Sequence, residues 1–188
     1  EDILVDMVDE SDRMIRLVNN LLMMAHADAG RSLAKDPVQL TPLIEEVIRR
    51  ASSLEEKRQI NLDLDEEITV LGDRDALEQV LLILIDNALK YSEQEVDLEA
   101  RLDGKKVEIR VEDHGQGIPT GEMEHVFERF YRASDNQSVP GFGLGLSIAK
   151  GLIEAMGGKI TLSSEEREGT IALVSLPALK KYINISGS

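Results

Sequence analysis

The segment 75–91 constrains this chain more than any other. Leu77, Val80, Leu81, Leu84, Ile85 and Ala88 make it apolar on most sides at helical spacing. A helix apolar nearly all round must be covered by other elements. Its flanks read as strands. Ile60, Leu62 and Leu64 alternate with Asn61 and Asp63, and a further strand over 69–71 ends at Gly72-Asp73. Beyond the helix, alternating strands over 96–102 and 107–111 meet at an Asp103-Gly104 turn. Strands over 159–163 and 170–176 close the unit. Asp36-Pro37 and a short strand over 38–40 open it. Thr41-Pro42 then reads as a cap followed by proline at the first helical position. The apolar face of that helix is Leu43, Ile44, Val47, Ile48 and Ala51. A last helix over 146–156 stops at Gly157-Gly158. Mixed strands and helices, with several strands joined as hairpins, predict a two-layer α/β sandwich over residues 36–180, a mixed sheet packed on helices.

Residues 1–30 form a separate unit. Leu4, Val8, Ser11, Ile15, Val18, Leu22 and Ala25 recur at alternating spacings of four and three, and Met7, Met14 and Leu21 widen the seam. This predicts one long bundle helix over about 2–29, stopped at Gly30 and packed on another helix, with packing on its own domain as the plainer alternative. The tail 181–188 carries no signal.

Composition excludes several function classes. There is no cysteine, and the three histidines, His26, His114 and His125, lie far apart, which argues against thiolate chemistry and a histidine-rich metal site. The net charge of −15 opposes nonspecific binding to nucleic acid or anionic membrane. No run approaches the ~18 apolar residues of a membrane span, and Glu1, Asp2 and Asp6 do not fit a signal peptide. These residues are therefore expected to be soluble and cytoplasmic, which leaves open an anchor upstream in a parent protein.

Three segments place polar residues or glycines where packing alone would favour apolar ones. Asn87, Lys90 and Tyr91 share one face at the end of the most apolar helix. They offer an amide oxygen, an ammonium and a ring to metal, phosphate and base or sugar, although a lysine snorkelling from a helix end is common. Asp113-His114-Gly115-Gln116-Gly117-Ile118-Pro119 follows a strand directly. Its glycines permit close approach of a flat ligand, and its carboxylate can accept from an exocyclic amine. Adenine offers that amine and guanine a repelling carbonyl; an ordinary strand-ending turn is the alternative. Gly141-Phe142-Gly143-Leu144-Gly145-Leu146 opens a helix, where exposed N–H groups and the helix dipole favour anions. It lacks the Lys-Ser/Thr ending of a P-loop.

In this order, the three segments resemble the N, G1 and G2 boxes of the GHKL superfamily, the Bergerat fold. Between the last two, Phe127-Glu128-Arg129-Phe130-Tyr131-Arg132 resembles the F box of sensor histidine kinases. Asp12-Arg13-Met14 and the run 17–22 resemble the second helix of the kinase dimerisation domain. The resemblance implies a domain that donates the ATP γ-phosphoryl group to a histidine, for relay to an aspartate of a response-regulator receiver domain. It implies ATP and Mg²⁺ as cofactors, with Asn87 as the Mg²⁺ ligand and Lys90 as the catalytic phosphate contact. Tyr91 and Ile118 would line the nucleotide pocket, Asp113 would hold the adenine amino group, and Gly115 and Gly117 would shape the base pocket. Residues of about 120–140 would form a lid with Arg132 on phosphate. Gly141, Gly143 and Gly145, with Leu144 and Leu146, would cradle the phosphates, and Thr170 would approach the base.

The chain departs from the family pattern in places. Ile83 stands where an asparagine is frequent, which bears on γ-phosphate handling. Arg167 replaces the first glycine of a Gly-x-Gly-Thr element, and His114, expected inside the pocket, stands where asparagine or threonine is usual. The accepting His-Glu segment is expected on a first bundle helix outside these residues, because neither His26, His114 nor His125 fits the role. The chain is then expected to bind nucleotide without phosphorylating itself, with its own acceptor helix as a partner and a homodimeric parent. Two alternatives remain: a non-catalytic nucleotide-binding regulatory module, and an anti-sigma-type serine kinase.

Overall fold

The computed structural model describes residue 14 and residues 33–54, 59–65, 68–133 and 141–179. The expected bundle helix and the tail lie outside the described residues, save for Met14. The element order is β1 (Asp36–Gln39), α1 (Leu40–Leu54), β2 (Ile60–Leu64), β3 (Thr69–Gly72), α2 (Arg74–Tyr91), β4 (Val96–Asp103), β5 (Lys106–Asp113), α3 (Gly145–Ala155), β6 (Lys159–Glu165) and β7 (Gly169–Pro177), with a short 3-10 turn at Thr120–Glu122 before α3.

Five strands form one mixed sheet in the order β2-β4-β5-β7-β6, with β2 parallel to β4 and the other pairs antiparallel. β1 and β3 make a separate antiparallel pair. Residues 178 and 179 tie that pair to the main sheet, as the Ala178 N–H donates to Lys105 O and the Leu179 N–H to Thr69 O, each at 2.9 Å. The helices cover one face: α2 packs on β4 and β5, α3 on β6, and α1 and α3 on α2. This is the two-layer α/β sandwich expected. Among the described residues no helix is long and apolar enough to cross a membrane.

The core follows the sequence pattern. On β4, Val96, Leu98 and Ala100 are buried, and on β5, Val107, Ile109 and Val111. α2 buries nine residues, from Ala76 to Leu89, which explains its all-round apolarity. Asp73 caps it, with Oδ1 accepting from the N–H groups of Asp75 and Ala76, each at 3.1 Å. Gly157 (φ 76) turns the chain out of α3, and the Gly158 N–H donates to Ile153 O at 2.9 Å.

The start of α1 differs from expectation. Thr41 and Pro42 lie inside its first turn rather than at its cap. Thr41 Oγ1 donates to Asp65 O at 3.2 Å, and the Leu40 N–H donates to Ile68 O at 2.9 Å. Pro42 is tolerated there because first-turn N–H groups have no intrahelical acceptor.

Candidate functional site

A cavity opens between α2 and the Asp113 end of the sheet. Its walls include Leu84, Asn87, Ala88 and Tyr91 from α2, a set spaced by three, four and seven that shares one helix face. The floor is two rows of cross-strand neighbours. Val111, Ala172 and Leu162 form an apolar row across β5, β7 and β6. Asp113, Thr170 and Ser164 form the polar row beside it. Gly117, Ile118, Val126, Tyr131, Arg132, Ala133 and Leu146 close the remaining sides.

Asp113 is buried, 6% exposed, at the inward-facing last position of β5. Burial pushes its carboxyl above the usual range, against hydrogen bonds from the Gly115 and Thr170 backbone and the His114 charge, which lower it. The Gly115 N–H donates to Asp113 Oδ1 at 2.9 Å. Burial likewise raises the Tyr91 hydroxyl, with the nearby Arg132 charge opposing.

The loop after β5 is pinned to the β6–β7 hairpin. The Ile118 N–H donates to Ser164 Oγ at 2.8 Å, and that hydroxyl donates to Gly169 O at 2.7 Å. The Arg167 N–H donates to Gln116 O at 2.7 Å. Gly117 (φ 69) is required here, because an added Cβ would lie 2.1 Å from Glu165 O. Across the cavity, the Phe130 N–H donates to Gly143 O at 2.9 Å, and a Cβ on Gly143 (φ 68) would lie 2.4 Å from Tyr131 O. Gly145 opens α3, whose N-terminus has no side-chain cap. Ile83 packs there, with Cγ2 3.2 Å from where a Gly145 Cβ would stand.

Of the residues singled out from sequence, Asn87, Tyr91, Asp113, Gly117, Ile118, Arg132, Leu146 and Thr170 line the cavity. Gly115 sits behind Asp113, and Leu144 is buried in the core at 1% exposure and does not line the cavity. Lys90 is paired with Asp86 outside the cavity wall. Gly141 and Gly143 precede α3 in the adjoining loop.

His114 corrects an expectation. Its ring is not in the cavity; Nε2 lies 2.8 Å from Asp97 Oδ2 on the outer face of the sheet. Alternation along β5 turns residues 112 and 114 away from Asp113. His125 is exposed and lies 2.8 Å from Glu128. The sequence did not assign Leu84, Ala88, Val111, Val126, Tyr131, Ala133, Leu162 or Ala172 to the cavity. Strand parity would have found Val111 and Ala172, two positions from Asp113 and Thr170 on the same faces.

A family model described as "Histidine kinase-, DNA gyrase B-, and HSP90-like ATPase" matches residues 72–180, from the end of β3 to just past β7. The chain belongs to this family. Its similar proteins point to the histidine-kinase branch. It is 36% identical over 169 residues to the sensor protein KdpD of Escherichia coli (strain K12), covering 86% of this chain and 18% of that protein. A structure of the mycobacterial sensor histidine kinase MprB superposes with a TM-score of 0.69 at 30% identity, covering 77% of this chain and 98% of that one. Full-length ShkA in complex with AMPPNP superposes with a TM-score of 0.79 at 30% identity, covering 92% of this chain and 37% of that one. The chain spans between 18% and 37% of the length of the first curated relatives it matches. The fold is thus that of a sensor-kinase ATPase domain.

Proposed function

We propose that this ATPase domain holds ATP with Mg²⁺ in the α2–sheet cavity and donates the γ-phosphoryl group to a histidine, from which a response-regulator aspartate receives it. The observation that carries the reading is Asp113: a buried carboxylate beside the apolar row of the floor, with Oδ1 accepting from the Gly115 N–H. Such a group favours a ligand that donates a hydrogen bond to it, and the adenine amino group is that ligand. The row Val111, Ala172 and Leu162 supplies the apolar surface on which a flat base rests.

The donor set suits the metal. Asn87 places a neutral amide on the cavity wall, the hard oxygen donor that Mg²⁺ takes alongside substrate phosphates. Bound Mg²⁺ would neutralise phosphate charge. Arg132 on the cavity wall and the α3 N-terminus, which carries no side-chain cap, would hold anionic oxygens, and Lys90 would join them on leaving Asp86. Catalysis of this type is mostly positioning and charge stabilisation. ShkA is in complex with the ATP analogue AMPPNP, which supports the same occupant here.

The proposal includes the partners. A bundle helix over 1–30 would pair with an acceptor helix in a dimeric parent on the cytoplasmic side. Calorimetry of the chain with ATP and GTP, with and without Mg²⁺, tests the binding step. Preference for ATP that rises with Mg²⁺ in wild type but not in Asn87→Ala is expected; equal affinity for both nucleotides overturns it. Adding a helical fragment that bears an acceptor histidine tests transfer. Labelled phosphate should appear on that fragment and not on this chain; binding without transfer would favour a regulatory module.

A further inference from the structure

The outer face of the sheet carries a cluster that the nucleotide cavity does not use. Asp97 on β4, Glu112 on β5 and His114 beyond it each offer one ligand atom, all within 4.8 Å of one another and all half-buried. The arrangement is held from several directions. Asp97 and Glu112 are cross-strand partners in the β4–β5 ladder. Asn61 on β2 donates to Asp97 Oδ1 at 2.9 Å, leaving Oδ2 toward His114 at 2.8 Å. Gln94 Nε2 donates to His114 O at 2.8 Å, which fixes the backbone under the ring.

We infer that Asp97, Glu112 and His114 form a binding site for a first-row transition-metal dication, with Zn²⁺ as the fitting case. One imidazole and two carboxylates are a mixed nitrogen–oxygen set, which suits such ions better than Mg²⁺ or Ca²⁺. A metal about 2.0–2.2 Å from each donor holds the donors roughly 3 Å apart. The His114–Asp97 spacing already has that size, and Glu112 closes by a side-chain rotation. Three protein ligands leave a fourth position for water. Arg110 is the resident counter-charge, 2.5 Å from Glu112 and 3.4 Å from Glu99. A bound dication takes Glu112 from it, and Arg110 keeps Glu99. The site backs directly onto Asp113, whose two sequence neighbours are ligands.

The test is a calorimetric titration of the whole chain with Zn²⁺ in the absence of nucleotide, repeated with Co²⁺ to read its visible absorption. One saturable equivalent is expected, with affinity falling at least tenfold in His114→Asn and in Glu112→Gln, and the Co²⁺ bands changing in both. His125→Asn should leave binding intact, since its own carboxylate neighbours, Glu124 and Glu128, form a separate exposed group. Metal-free unfolding curves report whether the variants are folded, and each of the two ligand variants is an independent trial. Equal affinity in wild type and His114→Asn, or loss of binding in His125→Asn, overturns the site.

Discussion

Replacing Asp113 with asparagine separates what the residue does for the ligand from what it costs the fold. The substitution keeps the shape and the Oδ1 acceptor for the Gly115 N–H. It removes the charge that an adenine amino group would bond to, and one charge-assisted hydrogen bond is worth on the order of 1.5–3 kcal/mol. ATP affinity should therefore fall by about ten- to a hundredfold. Stability should move the other way. Burial raises the Asp113 carboxyl above its ordinary value of 3.8, so the folded chain holds this proton more tightly than the unfolded chain does. That contribution to stability is fully present below the unfolded value and is lost as pH rises through the folded one. At pH 7, well above the unfolded value, burying this group costs stability relative to acid pH. Asp113→Asn should unfold at equal or higher urea concentration at pH 7, and the advantage should vanish on acidification toward pH 4. Calorimetry with ATP and urea curves at both pH values read the two effects. A variant that binds ATP like wild type, or that loses stability at pH 7 with an unchanged pH profile, refutes the reasoning.

Gly117→Ala should lose about 2 kcal/mol or more in urea unfolding, because φ 69 costs an L-residue roughly 1–2 kcal/mol and its Cβ would meet Glu165 O at 2.1 Å. An unchanged midpoint would mean that the loop is not pinned there. Ser164→Ala strips the Ile118 N–H of its acceptor, at about 1–3 kcal/mol, and hydrogen exchange at that amide should accelerate. The His114–Asp97 pair makes stability pH-dependent. Asp97 holds His114 above its ordinary 6.5, a contribution present below that value and lost as pH rises through the raised one. Hydrogen bonds from Asn61 and His114 hold Asp97 below 3.8, a contribution present above that value and lost as pH falls through the lowered one. Metal-free His114→Asn should flatten the stability profile above about pH 6.5 and leave the plateau near pH 5 as the region of largest difference; parallel curves would refute it. Arg132→Gln should weaken ATP but not adenosine, and an equal loss for both would place Arg132 in loop support rather than on phosphate.

What was legible in the sequence was whatever obeys a period. The α2 apolarity, the strand alternation and the two-layer packing follow from burial at spacings of 3.6 and 2. Asp113 stands out by the same logic, since it shares the parity of Val107, Ile109 and Val111 and is buried with them. Register was not legible. The floor of Val111, Ala172 and Leu162 exists only once β5, β7 and β6 are aligned, and no local pattern fixes that alignment. Resemblance makes the segment 120–140 a lid, but an aperiodic loop does not announce which of its side chains turn inward, so the sequence does not assign Val126, Tyr131 and Ala133 to the cavity. Arg167 is instructive. It stands where the family pattern has a glycine, and the structure holds it in left-handed backbone (φ 69) with its N–H bonded to Gln116 O. The geometry survives without the residue that best suits it.

By net charge alone, a chain with 36 acids against 21 bases is poorly suited to a polyphosphate. The distribution of those charges removes the difficulty. Among the described cavity walls there is one acid, Asp113, and one base, Arg132; the rest are apolar or neutral. The sheet's acids face outward, where Glu99 and Glu112 share Arg110, and Asp63 and Asp65 share Arg101. Exposed charges more than about 8 Å away are largely screened at physiological salt. A phosphate chain entering the cavity therefore responds to Arg132 and the α3 N-terminus rather than to the total of −15. The acidic surface in turn disfavours adventitious polyanions. Selectivity for one small anionic ligand follows from a charge-balanced cavity, with its base and a helix N-terminus apart from the total charge, set in a repellent exterior.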